Sequence, residues 1–323
     1  MSLRASIDGR VRVAKPVREA LVSGAPVVAL ESTIIAHGMP YPENIATARS
    51  LEDEVRTGGA TPATIAVIDG AIRVGLSPDE LEWLGSAKDV LKLSRNELAY
   101  AVAARKHGAT TVAATMISAH LAGIRVFATD GIGGVHRGAE TSFDISADLE
   151  EFAITPVAVV CAGAKALLDL PKTLEYLETR GVPVVGYRTD EFPAFWSRSS
   201  GLRVPIRLDS AAEIAEMLKV KWALGLRGGA VIANPVPEED QIPAEEMSGF
   251  IARAVAAAEE RGVVGKAVTP YILATIGQMT QGRSLRTNIA LVKANARLAA
   301  EIAIALPSGP LDVNPMWRRA PPV

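Results

Sequence analysis

Short apolar runs, many of them rich in β-branched residues, recur along the chain and alternate with stretches whose apolar residues fall at helical spacing. The runs Pro26–Leu30, Thr64–Ile68, Thr111–Ala114, Val126–Thr129, Thr155–Val160, Val184–Tyr187 and Ala230–Ala233 lack the in–out alternation of a half-solvated strand. They predict strands buried on both faces. Such strands interleaved with helices predict an α/β fold, a three-layer α/β/α arrangement around a mixed, largely parallel central sheet. Helix ends are legible too. Ser94 opens Ser-Arg-Asn-Glu, a capping box before a helix to about Lys106, and Ser210 opens Ser-Ala-Ala-Glu in the same way. Gly181 is placed to end a helix over Lys172–Arg180, and Leu285 to about Leu306 reads as one long helix. No internal repeat divides the chain. The pattern predicts an N-terminal extension over 1–20, a single α/β catalytic domain over 21–306, and a Pro-containing tail over 307–323.

Composition narrows the class of function. Across 323 residues, 34 basic residues face 36 acidic ones, so no global field would draw in a nucleic acid or an anionic membrane. Any anionic ligand needs a local site. No stretch approaches the roughly 18 uncharged apolar residues of a membrane span, and Met1–Val17 carries no apolar export segment, so a cytoplasmic protein is expected. The single cysteine, Cys161, excludes an internal disulfide and a cysteine-cluster metal site.

In open α/β sheets ligands collect outside the carboxyl ends of the strands, so polar residues directly after buried runs are the candidates for chemistry. Lys165 follows the run Thr155–Val160 through small residues and is predicted in the first turn of a helix beginning near Gly163. An ammonium there opposes the helix dipole and loses hydration, which lowers its pKa and prepares it to form a Schiff base. The same residue could instead pair with Asp169 or bind phosphate. After Val126–Thr129, Gly131, Gly133, Gly134 and Gly138 surround His136 and Arg137, a loop able to bring backbone N–H groups close to an anion, or a plain tight turn. Ser146 is a helix cap with Asp148 in the first turn, whereas Asp144 precedes the cap and suits a hard ion such as Mn²⁺ or Mg²⁺ that retains its waters. Glu31 ends a buried run, where lost hydration could keep it protonated as a general acid; a surface or capping carboxylate is the alternative. Lys92, just before the Ser94 cap, could share an anion with the helix amides, and Asn288, predicted in the first turn of the last helix, could match an imide edge.

The segments ALESTIIAHGMPYPEN, KLSRNEL, TTVAATM, GIGGVHRGAE, FDISADL, the long run from Cys161 to Trp196, and TNIALVKAN resemble the pseudouridine-5′-phosphate glycosidase family, over about Val27 to Leu306. The resemblance implies reversible conversion of pseudouridine 5′-phosphate and water into uracil and ribose 5-phosphate. It implies Lys165 as the nucleophile that forms a Schiff base with the opened sugar, Glu31 as proton donor, and Asp144 as the single protein ligand of a hydrated Mn²⁺, with Mg²⁺ as an alternative. Ser146, Ala147, Asp148, Lys92 and the backbone near Val112 match substrate contacts. Similarity and chemical fit assign Thr129 and His136 to the phosphate and Asn288 to the uracil. A homotrimer is implied, with no nucleic-acid or membrane partner. One position departs from the expected Ala-Thr-Gly-Gly-Ile-Gly-Gly pattern: Asp130 stands where glycine is expected. Two alternatives remain, an enzyme joining ribose 5-phosphate through carbon to another aromatic aglycone, and a sugar-phosphate-binding relative without catalysis. A nucleotide kinase lacks support, because no G-x-x-x-x-G-K-[ST] loop is present.

Overall fold

The computed structural model describes residues 9–263 and 265–306, so the tail expected over 307–323 lies outside the described residues. The first half builds β1 (Val11–Val13), α1 (Lys15–Ser23), β2 (Val27–Leu30), α2 (Glu43–Thr57), β3 (Thr61–Ile68), β4 (Ala71–Val74) and α3 (Pro78–Ser86). It continues through β5 (Leu91–Leu93), α4 (Arg95–Ala103), β6 (Gly108–Thr110), α5 (Val112–Ala122), β7 (Val126–Ala128), α6 (Ala139–Ser142) and α7 (Ala147–Ile154). The second half builds β8 (Ala158–Cys161), α8 (Leu170–Thr179), β9 (Val184–Tyr187), β10 (Ile206–Leu208), α9 (Ala211–Ala223), β11 (Ala230–Ala233), α10 (Ala244–Glu260), α11 (Val268–Met279) and α12 (Arg283–Ala305).

The strands form one sheet in the order β1-β4-β3-β2-β7-β8-β11-β9-β10, with β6 joined to β3 and β5 to β6. Among the strand pairs of the described residues, only β3–β4 and β3–β6 are antiparallel. The sheet is therefore mixed and mostly parallel, flanked by helices, as the buried runs predict. Part of the expected N-terminal extension contributes here, since Val11–Val13 pairs in parallel with Ile72–Val74.

The expected strand over Thr111–Ala114 is helix. The strand is β6, three residues earlier, and it stops at Thr110, whose N–H donates to Ser32 Oγ and whose hydroxyl donates to the Ile65 carbonyl. The segment VAATMISAHLA, directly after Thr111, forms α5 and is buried along most of its length. A helix apolar all round and a buried strand share one signature over four residues, so the periodicity could not separate them. The predicted strand from Thr155 likewise begins later, because α7 runs to Ile154. Helix ends agree with the capping residues: Ser210 Oγ accepts from Glu213 N–H at 3.2 Å, and Gly181, at φ +66°, lies just past the end of α8.

α12 is the long helix expected, beginning two residues before the expected Leu285. It packs across β2, β7 and β8 and against α2 and α9. Because it starts at Arg283, Asn288 sits in its second turn rather than its first. Asn288, Leu291, Val292, Asn295 and Ala299 fall on the buried face, so this helix presents two carboxamides, seven residues apart, to the sheet.

Candidate active site

The carboxyl ends of β2, β7 and β8 lie side by side, since β7 pairs with both β2 and β8. Glu31, Thr129 with Asp130, and the Ala162–Lys165 segment therefore emerge together. Two loops then zip onto each other. Ile132 N–H donates to the Gly163 carbonyl and Lys165 N–H to the Ile132 carbonyl, both at 3.1 Å. Gly163 makes the turn possible: it sits at φ +82°, and a Cβ there would lie 2.2 Å from the Pro193 carbonyl oxygen. Lys165 is thus on a loop before α8, not in the first turn of a helix.

That placement reverses the expected charge state. The Lys165 ammonium donates to the Gly131 carbonyl at 2.8 Å and lies 3.3 Å from Asp130 Oδ1, with side chains 18% and 7% exposed. Burial alone pulls the lysine pKa down, but the carboxylates of Asp130, Glu31 and Asp148 together hold it above its ordinary value. Asp169, the alternative partner, pairs with Lys172 at 3.0 Å instead. In the free protein Lys165 is an ammonium held in place, and it must lose a proton before it can attack.

Glu31 behaves as the sequence suggests. Burial pushes its pKa up to about 7; the Lys165 charge opposes this, the Asp130 charge adds to it, and hydrogen bonds from Thr129 and Thr33 lower it somewhat. Thr33 Oγ1 donates to Glu31 Oε2 at 2.5 Å, and the Thr129 hydroxyl donates to Oε1. Thr129, expected at the phosphate, is therefore a buried buttress for Glu31. A carboxyl group titrating near neutrality can hold a proton and release it.

These groups open onto a cleft of about 270 Å³ lined by Glu31, Lys92, Val112, His136, Asp144, Ser146, Ala147, Asp148 and Lys165 among others. Ser94 and Asn96 from the start of α4, Thr111 and Val112 from the start of α5, and Ser146 and Ala147 from the start of α7 share its wall. Three helix N-termini and Lys92 thus converge on one cleft, an electrostatic setting for a phosphate. The glycine loop serves a different anion than expected. Gly133 N–H donates to Asp148 Oδ2 and Ala113 N–H to Asp148 Oδ1, both at 2.9 Å, so Asp148 ties the loop to α5. A Cβ on Gly133 would lie 2.2 Å from Ser146 Oγ.

Asn288 stands behind this wall. Its Nδ2 approaches Asp130 Oδ2 at 3.4 Å, while its Oδ1 is buried without a hydrogen-bond partner among the described residues. A recess lined by His37, Asp130, Pro270 and Leu273 shares Glu31, Thr33, Lys92, Lys165 and Thr269 with the cleft. Sequence reasoning missed Thr33, Asn96, Thr269 and Asn295. Asn295 Nδ2 donates to the Thr129 carbonyl at 2.8 Å and its Oδ1 accepts from Asn234 Nδ2 at 3.0 Å, which pins the loop that carries Asp130. Its place seven residues after Asn288, on the buried face of the last helix, was the available signal.

The family model for indigoidine synthase A like proteins matches residues 16–305. The chain belongs to that family. A pseudouridine-5′-phosphate glycosidase of Solibacter usitatus is 73% identical over 92% of this chain and 99% of its own length. One of Methylobacterium nodulans is 66% identical, over 91% and 87%. Among solved structures of the same fold, the prealnumycin C-glycosynthase AlnA in complex with ribulose 5-phosphate superposes with a TM-score of 0.86 at 39% identity, covering 93% of this chain and 97% of AlnA. An indigoidine synthase A-like protein of Thermotoga maritima superposes at 0.83 and 36% identity, covering 92% and 96%. Family members thus share the arrangement of sheet and helices on which the cleft is built.

Proposed function

We propose that the chain is a pseudouridine-5′-phosphate glycosidase, cleaving the C–C bond between ribose 5-phosphate and uracil through a Schiff base on Lys165. The carrying observation is the part-buried ammonium of Lys165 at 3.3 Å from Asp130, at the head of a cleft shared with a Glu31 that titrates near neutrality. The similarity to glycosidases of the same name over nine-tenths of the chain supports the choice of substrate.

The bond explains the machinery. Uracil leaves through carbon, a poor leaving group for the two-carboxylate chemistry of ordinary glycosidases. Opening the ribose ring frees its anomeric carbon for the lysine. Glu31 gives a proton to the ring oxygen as the C1′–O4′ bond breaks, and the neutral Lys165 amine bonds to C1′. The nitrogen lone pair then expels uracil as C1′=N forms, and uracil C5 takes a proton. Water adds to the iminium and releases open-chain ribose 5-phosphate. Lys92, His136 and the helix starts at Ser94, Val112 and Ser146 hold the phosphate end.

A divalent ion fits at Asp144 only as a largely hydrated one. Asp144 is 48% exposed, its Oδ2 lies 3.8 Å from His136 Nδ1, and no cluster of three or more His, Cys, Asp or Glu side chains among the described residues could enclose a metal. One carboxylate with waters suits Mn²⁺ or Mg²⁺. When bound there, such an ion supplies positive charge beside the sugar phosphate. A homotrimer in the cytoplasm completes the reading; among the described residues no helix is long and apolar enough to cross a membrane.

The test is direct. Borohydride added with ribose 5-phosphate should leave a reduced sugar adduct on Lys165, located by peptide mass spectrometry. A Lys165→Ala protein that still released uracil from pseudouridine 5′-phosphate would overturn the reading. A second reading, C-ribosylation of a larger aromatic acceptor, is favoured by the 39% identity to the C-glycosynthase AlnA. Running the reaction in the synthetic direction with uracil against polycyclic acceptors separates the two.

A further inference from the structure

Between the free protein and the Schiff base, the Lys165 nitrogen goes from three hydrogens to one. Both states carry one positive charge, so two protons must leave the nitrogen while the substrate gains two, one on the ring oxygen O4′ and one on uracil C5. The nitrogen is part-buried, and its carbonyl partner, Gly131, has no use as a base. A carboxylate fixed beside it is the direct acceptor.

We infer that Asp130 is the base that takes these protons from Lys165, and that Thr129 links it to Glu31, which returns them to the substrate. This rests on the reading of Lys165 as nucleophile. The geometry supplies each contact. Asp130 Oδ1 is 3.3 Å from Lys165 Nζ. The Thr129 hydroxyl lies 3.4 Å from that same oxygen and donates to Glu31 Oε1. A hydroxyl can accept from a protonated carboxyl on one side while donating to a carboxylate on the other, so Lys165, Asp130, Thr129 and Glu31 form one continuous path. The carboxylate is also fixed: Gly131 N–H donates to Oδ1 at 2.6 Å, and Asn288 Nδ2 approaches Oδ2 at 3.4 Å. Asp130 is 5% exposed, so its carboxylate is held against the lysine rather than out in solvent. Asp130 is the one position in the loop that departs from the expected glycine pattern, and the departure places a base against the reacting nitrogen.

The experiment compares wild-type protein, Asp130→Asn and Asp130→Gly in uracil release at pH 7, with and without formate. Asparagine keeps the shape and the Gly131 contact but cannot take a proton. Glycine leaves a space the size of a small carboxylate. Both variants should lose at least about tenfold in kcat with KM within about twofold, the pattern of a lost chemical step. Formate should restore Asp130→Gly in a saturable way and leave Asp130→Asn unchanged. Wild-type kcat in Asp130→Asn, or a slow Asp130→Gly that formate does not accelerate, would overturn the inference while the reading of Lys165 stands. Absence of a borohydride-reducible adduct in the wild type would instead remove that reading and the inference with it.

Discussion

Replacing Glu31 by glutamine tests the central electrostatic claim through stability as well as rate. Burial raises the Glu31 pKa from 4.5 to about 7, so the folded protein holds this proton more tightly than the unfolded chain does. A group raised in this way contributes stability that is fully present below pH 4.5 and lost as pH rises through 7. The gap between those two values corresponds to roughly 3 kcal/mol. Between pH 5.5 and 8.5 about 2 kcal/mol of it disappears in the wild type. Glu31→Gln keeps the shape and has no such ionisation, so its urea-unfolding free energy should gain about 2 kcal/mol on the wild type between these pH values. The same variant should lose roughly 10²- to 10⁴-fold in kcat, because an amide cannot deliver the proton. Wild-type kcat/KM should decline above pH 7 as the acid form is lost. Parallel stability curves for the two proteins over this pH range would show that Glu31 is not a buried carboxyl held near neutrality, and the assignment of the acid would fall with it.

Asn295→Leu should cost roughly 1–3 kcal/mol in urea unfolding and slow uracil release, because it strands the buried Thr129 carbonyl and Asn234 amide that Asn295 now satisfies. An unchanged unfolding midpoint would exclude that bracing role. Gly133→Ala places a methyl group 2.7 Å from Asp148 Oδ2, so a drop in kcat/KM of at least about tenfold is expected, and a crystal structure should show Asp148 displaced from the Ala113 amide. Asp144→Asn should weaken Mn²⁺ binding, read by electron paramagnetic resonance of the free ion, by at least about tenfold. Equal binding in variant and wild type would place the ion elsewhere.

The carboxyl-end rule led from buried runs to Glu31, Lys165 and the glycine loop because parallel strands bring their ends to one edge. Those residues do meet in one cleft, with Lys92 and Ser146 beside them. The local physics assigned to Lys165 was nevertheless reversed. The helix was expected to begin near Gly163, whereas it begins only at Leu170, after the Asp169 cap. The pKa of the lysine is then raised by carboxylates that reach it from the ends of β2 and β7 and from the start of α7. No window of sequence contains them together.

The chain determined by itself the set of elements whose causes are local. Buried β-branched runs made the strands β2, β9 and β11, capping residues set the starts of α4 and α9, and Gly181 ended α8. A four-residue apolar run could not distinguish β6 from the start of α5, because burial on all sides erases the periodicity that tells helix from strand. Tertiary structure alone decided the rest. It made Thr129 a support for Glu31, turned Gly133 toward Asp148, and set Asn295 to brace the loop. It also made Asp130 the partner of the nucleophile, because electrostatic coupling depends on distance through space and the strand order β2-β7-β8 decides which distances are short.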